Sequence, residues 1–416
     1  MAHFGLGKQT LLMTQTPAKT WLTMIPMEFR DIPEFWQRDA GLVCLGFRAI
    51  GVESRFIALG AAPSRDDLPL ILASREQVED AVWWRQRQPE GVVLWGAHRV
   101  DAIARAIKSA GARLVVHLDT DGYCSPHAGF WPYLRETADV FRADGRRPAW
   151  LLAALKACLH RWIPHLHDHG FRAMAATADL LTINSPLAEQ RVRRLLAQRG
   201  ELNLAEKVNL IPSPLALDAD FDPSVAKLPQ IVAAGRWQSY QKDAPTALRV
   251  LGRVLKAHPD YSALMIGSGG ERLERLRARL PADTQTRIKL TGYVSRAELL
   301  QAYRQSQIML VSSRFESLNL AAVEALACGC SVVGWGQIAS LAYLASAGSG
   351  TTAPSRAVVD YADALSAEIA AWQRGERRPE EFGRHWRERF AAPRYAASVL
   401  AHFDRSFSQS KNTEHA

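Results

Sequence analysis

Short apolar runs alternate with helical patterns along almost all of this chain, and that alternation limits the fold more than any other feature. The first half reads as strand TWLTMIPM (20–27), a helical pattern over 32–51 that Gly51 ends, and strand SRFIALG (54–60). Strand GVVLWG (91–96), a helix over 98–110 and strand ARLVVHLD (112–119) follow, with further strands at 178–185 and 208–212. Strands separated by helices of such length imply βαβ units and a parallel sheet.

A weakly patterned stretch, 212–230, contains Pro212, Pro214, Pro223 and Pro229 and reads as a linker. The alternation then restarts with strands at 230–235, 262–269, 288–292, 308–313 and 330–336, each followed by a helical pattern. A chain of 416 residues is long for one domain. The expected organisation is therefore α/β, two doubly wound domains facing each other across a cleft. The boundaries fall at 1–215, a linker at 216–229, a second domain at 230–390, and a C-terminal helix or tail at 391–416 that packs back on the first. Ligands of such sheets bind beyond the carboxyl ends of the strands, hence in the cleft.

The chain has 51 basic and 42 acidic residues, a net charge of +9. That balance suits an anionic partner: nucleic acid, an acidic membrane surface or a phosphorylated small molecule. The sequence shows no recognised nucleic-acid module and no aromatic–basic stripe, which argues against nucleic acid. Cys44, Cys124, Cys158, Cys328 and Cys330 are scattered, as expected of free thiols in a reducing compartment. The first twenty residues lack the features of a signal peptide, and the expected location is the cytoplasm.

The second half carries most of the chemistry. Arg236 and Lys242, in AAGRWQSYQKDAP (233–245), flank a loop beyond a strand's carboxyl end and suit a diphosphate. In MIGSGGERLERL (265–276), Gly267, Gly269 and Gly270 lie between a strand and a helix, where a ligand can approach the backbone. They match neither the dinucleotide-binding G-x-G-x-x-G pattern nor a phosphate-binding P-loop. In SSRFESLNLAAVEALACGC (312–330), a helix is expected to start near Leu318–Leu320, so the N–H groups of Ser317, Leu318, Asn319 and Leu320 favour an anion. Glu316 and Glu324 would repel phosphate. Placed on either side of an anion site, they suit hydroxyls, the layout of a sugar, a diphosphate and a ribose.

Glu316-x7-Glu324 followed by EALACGCSVV resembles the E-x7-E motif of the retaining glycosyltransferase family 4, which has the GT-B fold. GRWQSYQKD, IGSGGE, LTGYVSRAEL and SRFESLNLAAVEALACGCSVV follow that family's motifs in order, over roughly residues 230 to 340. The resemblance implies two Rossmann-like domains, a nucleotide-sugar donor, retention of anomeric configuration and no metal cofactor. It implies Arg236 and Lys242 on the diphosphate, Gly267 and its neighbours near the nucleotide, and the Tyr293–Val294 backbone near the base. Glu316 would bind the transferred sugar and Glu324 the ribose. Asn319 stands where the family often has glycine; asparagine tolerates unusual backbone angles.

The first half bears on the acceptor. Many family members carry a histidine after a first-domain strand, facing the transferred sugar. In LVVHLDTDGY (114–123) Asp119 occupies that place and His117 lies two residues earlier, so both are expected to line the reaction centre. Asp119-x-Asp121 also resembles the D-x-D metal motif of the other glycosyltransferase fold, GT-A. The segment 146–172 has a broad apolar face, flanking arginines, Trp150 and Trp162, and suits either a core helix or peripheral contact with anionic lipid at the inner face of the plasma membrane. His160, His165, His167 and His169 have no ligand framework for zinc and read as structural or surface residues. The expected reaction is hexose transfer to a saccharide or lipid-linked acceptor in bacterial polysaccharide, glycoconjugate or glycolipid synthesis. A sugar-nucleotide epimerase on the same fold is the competing reading.

Overall fold

The computed structural model describes residues 20–28, 39–60, 69–96, 100–122, 148–162, 172–216 and 218–413, besides Leu134 and Ala138, some of them as backbone only. The first domain is a seven-stranded sheet of β1 (Thr20–Glu28), β2 (Glu53–Leu59), β3 (Leu70–Ala73), β4 (Gly91–Trp95), β5 (Arg113–Leu118), β6 (Leu180–Ile183) and β7 (Val208–Leu210), in the order β3-β2-β1-β4-β5-β6-β7. The second is a six-stranded sheet of β8 (Leu228–Ala234), β9 (Ser262–Ile266), β10 (Ile288–Gly292), β11 (Ser306–Val311), β12 (Ser331–Trp335) and β13 (Gly350–Ala353), in the order β10-β9-β8-β11-β12-β13. The strand pairs are parallel, as in β4–β5 and β8–β11. Every residue of β4 is buried, which suits an interior strand with helices covering both faces.

Strand order reverses between β1 and β4 and again between β8 and β11. At such a switch point the loops leaving two neighbouring strands diverge and open a crevice beyond their carboxyl ends. In the second domain those loops begin at Gly235 and Ser312, so the fold brings the Arg236–Lys242 and Glu316–Glu324 segments together.

The chain crosses between domains twice, and the crossings touch: the Leu215 N–H donates to Phe390 O at 2.8 Å. The second crossing leads into the helix Ala392–Thr413, which lies on the helix Asp39–Ala49 of the first domain. Tyr395, Val399 and Phe403 share a core there with Trp21 and Phe47. The approach is close: a Cβ added to Gly46 would meet Ala392 O at 2.2 Å.

Within the stretch expected as a linker, 216–229, Ala216 packs against Leu42 and Ala392 at the junction, while the part from Asp218 onward is packed on the second domain. Ala219 is fully buried in that domain's core, and β8 begins within the stretch. Lys227 donates to the carbonyls of Tyr303, Ser306 and Cys328 at 3.0, 3.0 and 2.8 Å. Burial pushes its ammonium down to about 8, so at neutral pH it remains mostly charged and these bonds are charge-assisted. They satisfy carbonyls at the ends of two helices, Arg296–Gln305 and Leu320–Ala327, that have no partner within their helix. The short strands β3 and β13 and the helices Arg75–Val78 and Ala81–Arg87 were not expected from the sequence pattern.

Candidate active site

The cleft between the domains encloses a cavity of about 850 Å³. Its walls include Arg236, Lys242, Gly267, Tyr293, Val294, Glu316, Ser317, Leu318, Asn319, Leu320 and Glu324 from the second domain, with Asp119 from the first.

The loop after β8 is fixed from beneath. Trp237 is buried, its indole N–H donating to Ile266 O at 2.8 Å and its backbone N–H to Ser268 O at 2.9 Å. Gly267 and Gly269 both have φ of +119°, and a Cβ at Gly267 would lie 2.0 Å from Gly235 O. These glycines let two neighbouring loops pack backbone against backbone, in a conformation side chains rarely adopt. Gly269 does not line the cavity; a Cβ there would meet Trp237. At the far end of the loop, the buried Asp243 carboxylate pairs with Arg314 at 2.7 Å and Arg356 at 2.5 Å, fixing the start of the helix Ala244–Ala257.

Lys242 and Glu316 pair with each other: Lys242 Nζ lies 2.5 Å from Glu316 Oε1. Ser313 Oγ donates to the same oxygen at 2.7 Å, and Gln241 Nε2 to Oε2 at 3.2 Å. Glu316 is only 7% exposed, so this bonding compensates a desolvated carboxylate. Arg236, by contrast, is exposed and has no ion-pair partner among the described residues.

The helix Leu320–Ala327 starts at Asn319, which adopts φ +65° and accepts from Ala322 N–H at 3.3 Å through its side chain. Asparagine thus supplies the left-handed turn that glycine would, and caps the helix besides. Further along that helix, Glu324 accepts from Arg296 Nη1 at 3.0 Å. Tyr293 is exposed at the rim.

Across the cleft, Asp119 follows β5 directly. Its Oδ1 accepts from Asn184 Nδ2 at 3.2 Å and from Ser317 Oγ, so the first domain touches the second at the helix start. Arg191 makes a second bridge, donating to Asp121 O at 3.0 Å and to Gln337 O at 2.9 Å.

His117 is not part of the cavity lining, contrary to the expectation. Its ring is fully buried, with Nδ1 2.8 Å from Thr182 Oγ1 and Nε2 2.8 Å from Ser213 Oγ, and lies 4.5 Å from the Trp95 ring. Burial depresses its pKa to about 4, leaving a neutral imidazole at physiological pH. The reason is geometric. β5 ends at Leu118, so Asp119 lies past the strand and is free to turn into the cleft, while His117 keeps the strand's inward direction.

Asp121 of the D-x-D pattern is buried, and among the described residues no group of three or more His, Cys, Asp or Glu side chains is placed to hold a metal. The side chains of His160, His165, His167 and His169, like Cys124, lie outside the described residues. The helix Ala149–Trp162 exposes Trp150, Leu151 and Leu155. No helix among the described residues is long and apolar enough to cross a membrane. Sequence reading missed Gln241, Ser313, Asn184 and Arg296. Only Arg296 left a trace, the capping pair Ser295 and Glu298 that marks a helix start beside the cleft.

Comparison with known proteins agrees with the two-domain architecture. Residues 228–370 match the family described as glycosyl transferases group 1. No curated protein matches the sequence. Among solved structures, a glycosyltransferase from Rickettsia africae is similar with a TM-score of 0.64 at 13% identity, over 94% of this chain and 99% of that one. A trehalose 6-phosphate synthase from Burkholderia multivorans gives 0.63 at 15%, over 96% and 99%. The Anabaena protein HepE in complex with UDP-glucose gives 0.61 at 14%, over 93% and 99%. At these identities the likeness is one of fold: two α/β domains in the GT-B arrangement.

Proposed function

We propose that this chain, whose residues 228–370 match the group 1 glycosyl transferases, is a glycosyltransferase that moves a hexose from a nucleoside-diphosphate sugar to an acceptor hydroxyl with retention of configuration. The observation that carries the reading is the layout of charge at the β8/β11 switch point. An exposed arginine and a helix start line the same cavity as two glutamates, each of them held by a cation.

In this reading the diphosphate lies against Arg236 and the N–H groups at the start of the helix Leu320–Ala327. Glu316 accepts hydroxyls of the transferred hexose. Lys242 holds that carboxylate and adds positive charge beside the departing diphosphate. Glu324 accepts hydroxyls of the ribose, and the Tyr293–Val294 backbone lies near the base. Asp119 faces the reaction centre from the first domain. The transition state has oxocarbenium character. Chain cations suffice to stabilise the leaving group, so no metal is required. UDP is the first nucleotide to test, because HepE, of similar fold, has been crystallised with UDP-glucose.

The acceptor is a saccharide or lipid-linked saccharide. Exposed Trp150, Leu151 and Leu155 support peripheral contact of the helix Ala149–Trp162 with anionic lipid at the inner face of a bacterial membrane. The deciding experiment is a panel of UDP-, GDP- and ADP-sugars, scored by thermal shift and by release of nucleoside diphosphate with and without EDTA. We expect one donor series to stabilise the protein and turn over, with EDTA having no effect. Absence of binding by all three series would overturn the reading. Loss of turnover in EDTA would overturn its metal-independent form.

A further inference from the structure

The scheme above gives Glu324 a ligand but gives Arg296 and Asp218, the residues that hold it, no task of their own. Arg296 opens the helix Arg296–Gln305, whose start is fixed by reciprocal bonds between Ser295 and Glu298. Its guanidinium reaches two carboxylates. Nη1 donates to Glu324 Oε1 at 3.0 Å, while Nε and Nη2 donate to Asp218 Oδ2 and Oδ1, each at 2.6 Å. The second contact is the parallel fork in which arginine holds a carboxylate in a single orientation, a geometry lysine cannot reproduce. Asp218 is itself anchored, its backbone carbonyl accepting from Arg304 Nη2 at 2.9 Å. The Arg296 bond holds the Asp218 carboxyl below its ordinary pKa, and Asp218 raises that of the guanidinium, so the pair stays ionised.

We propose that Arg296, clamped by Asp218, is a positioning residue that orients Glu324 and thereby sets the preference of the site for ribose over 2′-deoxyribose. This rests on the nucleotide-sugar reading above. A glutamate at the edge of a cavity has three rotatable bonds, and accepting from two vicinal hydroxyls requires one orientation of its carboxylate. Arg296 fixes one carboxylate oxygen of Glu324 and with it the direction in which the carboxylate faces the diol. Because the clamp is made when the chain folds, the ordering entropy is not charged to nucleotide binding.

Positioning and plain electrostatics predict different results. Arg296→Met removes a cation from the nucleotide site, whereas Asp218→Asn removes an anion. If charge alone mattered, the two would move nucleotide affinity in opposite directions and leave the ribose preference unchanged. If Arg296 positions Glu324, both lower the preference.

The test is calorimetric titration of the intact protein with UDP, GDP and ADP, then with the 2′-deoxy form of whichever binds best. A hydrogen bond to a charged acceptor corresponds to roughly tenfold or more in affinity, and that is the preference expected of the wild type. In Arg296→Met and Asp218→Asn it should fall to within about threefold, with Arg296→Lys between them and the wild type. Asp218 is partly exposed, so Asp218→Asn serves should Arg296→Met fail to fold. A wild-type ratio retained in the folded variants overturns the proposal, as does a wild type with no preference. A wild type that binds none of the three nucleotides overturns the nucleotide-sugar reading instead.

Discussion

The two walls of the cleft are built differently. On the second domain, both glutamates of the E-x7-E motif are held by cations, Glu316 by Lys242 and Glu324 by Arg296. On the first, Asp119 has neutral partners, Asn184 and Ser317, and the nearby histidine is buried as a neutral ring. One wall fixes its charges during folding, as recognition of the proposed charged donor would require. The other wall lines the cavity with Asp39, Asp119 and Asp121 beside neutral groups such as Asn184 and Ser213, and carries no lysine or arginine among its described lining residues, as would suit the neutral acceptor alcohol proposed above.

The largest test of this contrast is Glu316→Ala. Removing the carboxylate leaves Lys242 and Ser313 without their partner and deletes the proposed hexose contact. We expect kcat/KM for donor turnover to fall about a hundredfold, near 2.7 kcal/mol. A fall of less than about threefold would mean that the donor wall is not where the sugar is read. Asp119→Asn should behave differently. Its carboxylate lies beside the proposed phosphate site, so neutralising it should leave nucleoside-diphosphate affinity equal or slightly higher while turnover drops about tenfold. Titration calorimetry alongside steady-state kinetics separates the two effects. Weaker nucleotide binding in this variant would place Asp119 on the donor side and erase the contrast.

The smallest effect concerns His117 and is read in stability. A free histidine titrates near 6.5 and His117 near 4. Between those values the unfolded chain takes up the proton that the folded chain refuses, so stability falls as pH drops from 6.5 towards 4 and is insensitive to this group above that window. Between pH 6.5 and pH 5 the wild type should lose about 3–6 °C of melting temperature more than His117→Gln. Equal losses would mean that His117 is charged, and the first wall richer than described.

The parallel architecture was legible because strands covered on both faces have no polar face to confuse their pattern; GVVLW is the clearest case. Glu316 and Glu324 were legible because eight residues spanning a loop and one helical turn keep both beside the same helix start. Arg296 was not, since its partners lie 28 and 78 positions away and only the fold unites them. Gly267 and Gly269 were noticed for the right property, but the close approach they permit is to the neighbouring loop. Pro-rich 212–230 looked unstructured because an extended segment that packs through single small residues such as Ala219 has no periodicity. His117 was misplaced because strand alternation predicts a face and says nothing about where the strand stops.

The return of the last long helix to the first domain has a consequence for biosynthesis. Trp21 and Phe47 complete their packing only against Tyr395, Val399 and Phe403, with Trp21 and Phe403 ring centres 5.7 Å apart. Those partners leave the ribosome only after the whole second domain. The N-terminal sheet therefore completes its core only after the domain that follows it has been made, and until then it presents an apolar face. A nascent chain arrested near residue 390 should be a better chaperone substrate than either the complete protein or its second domain.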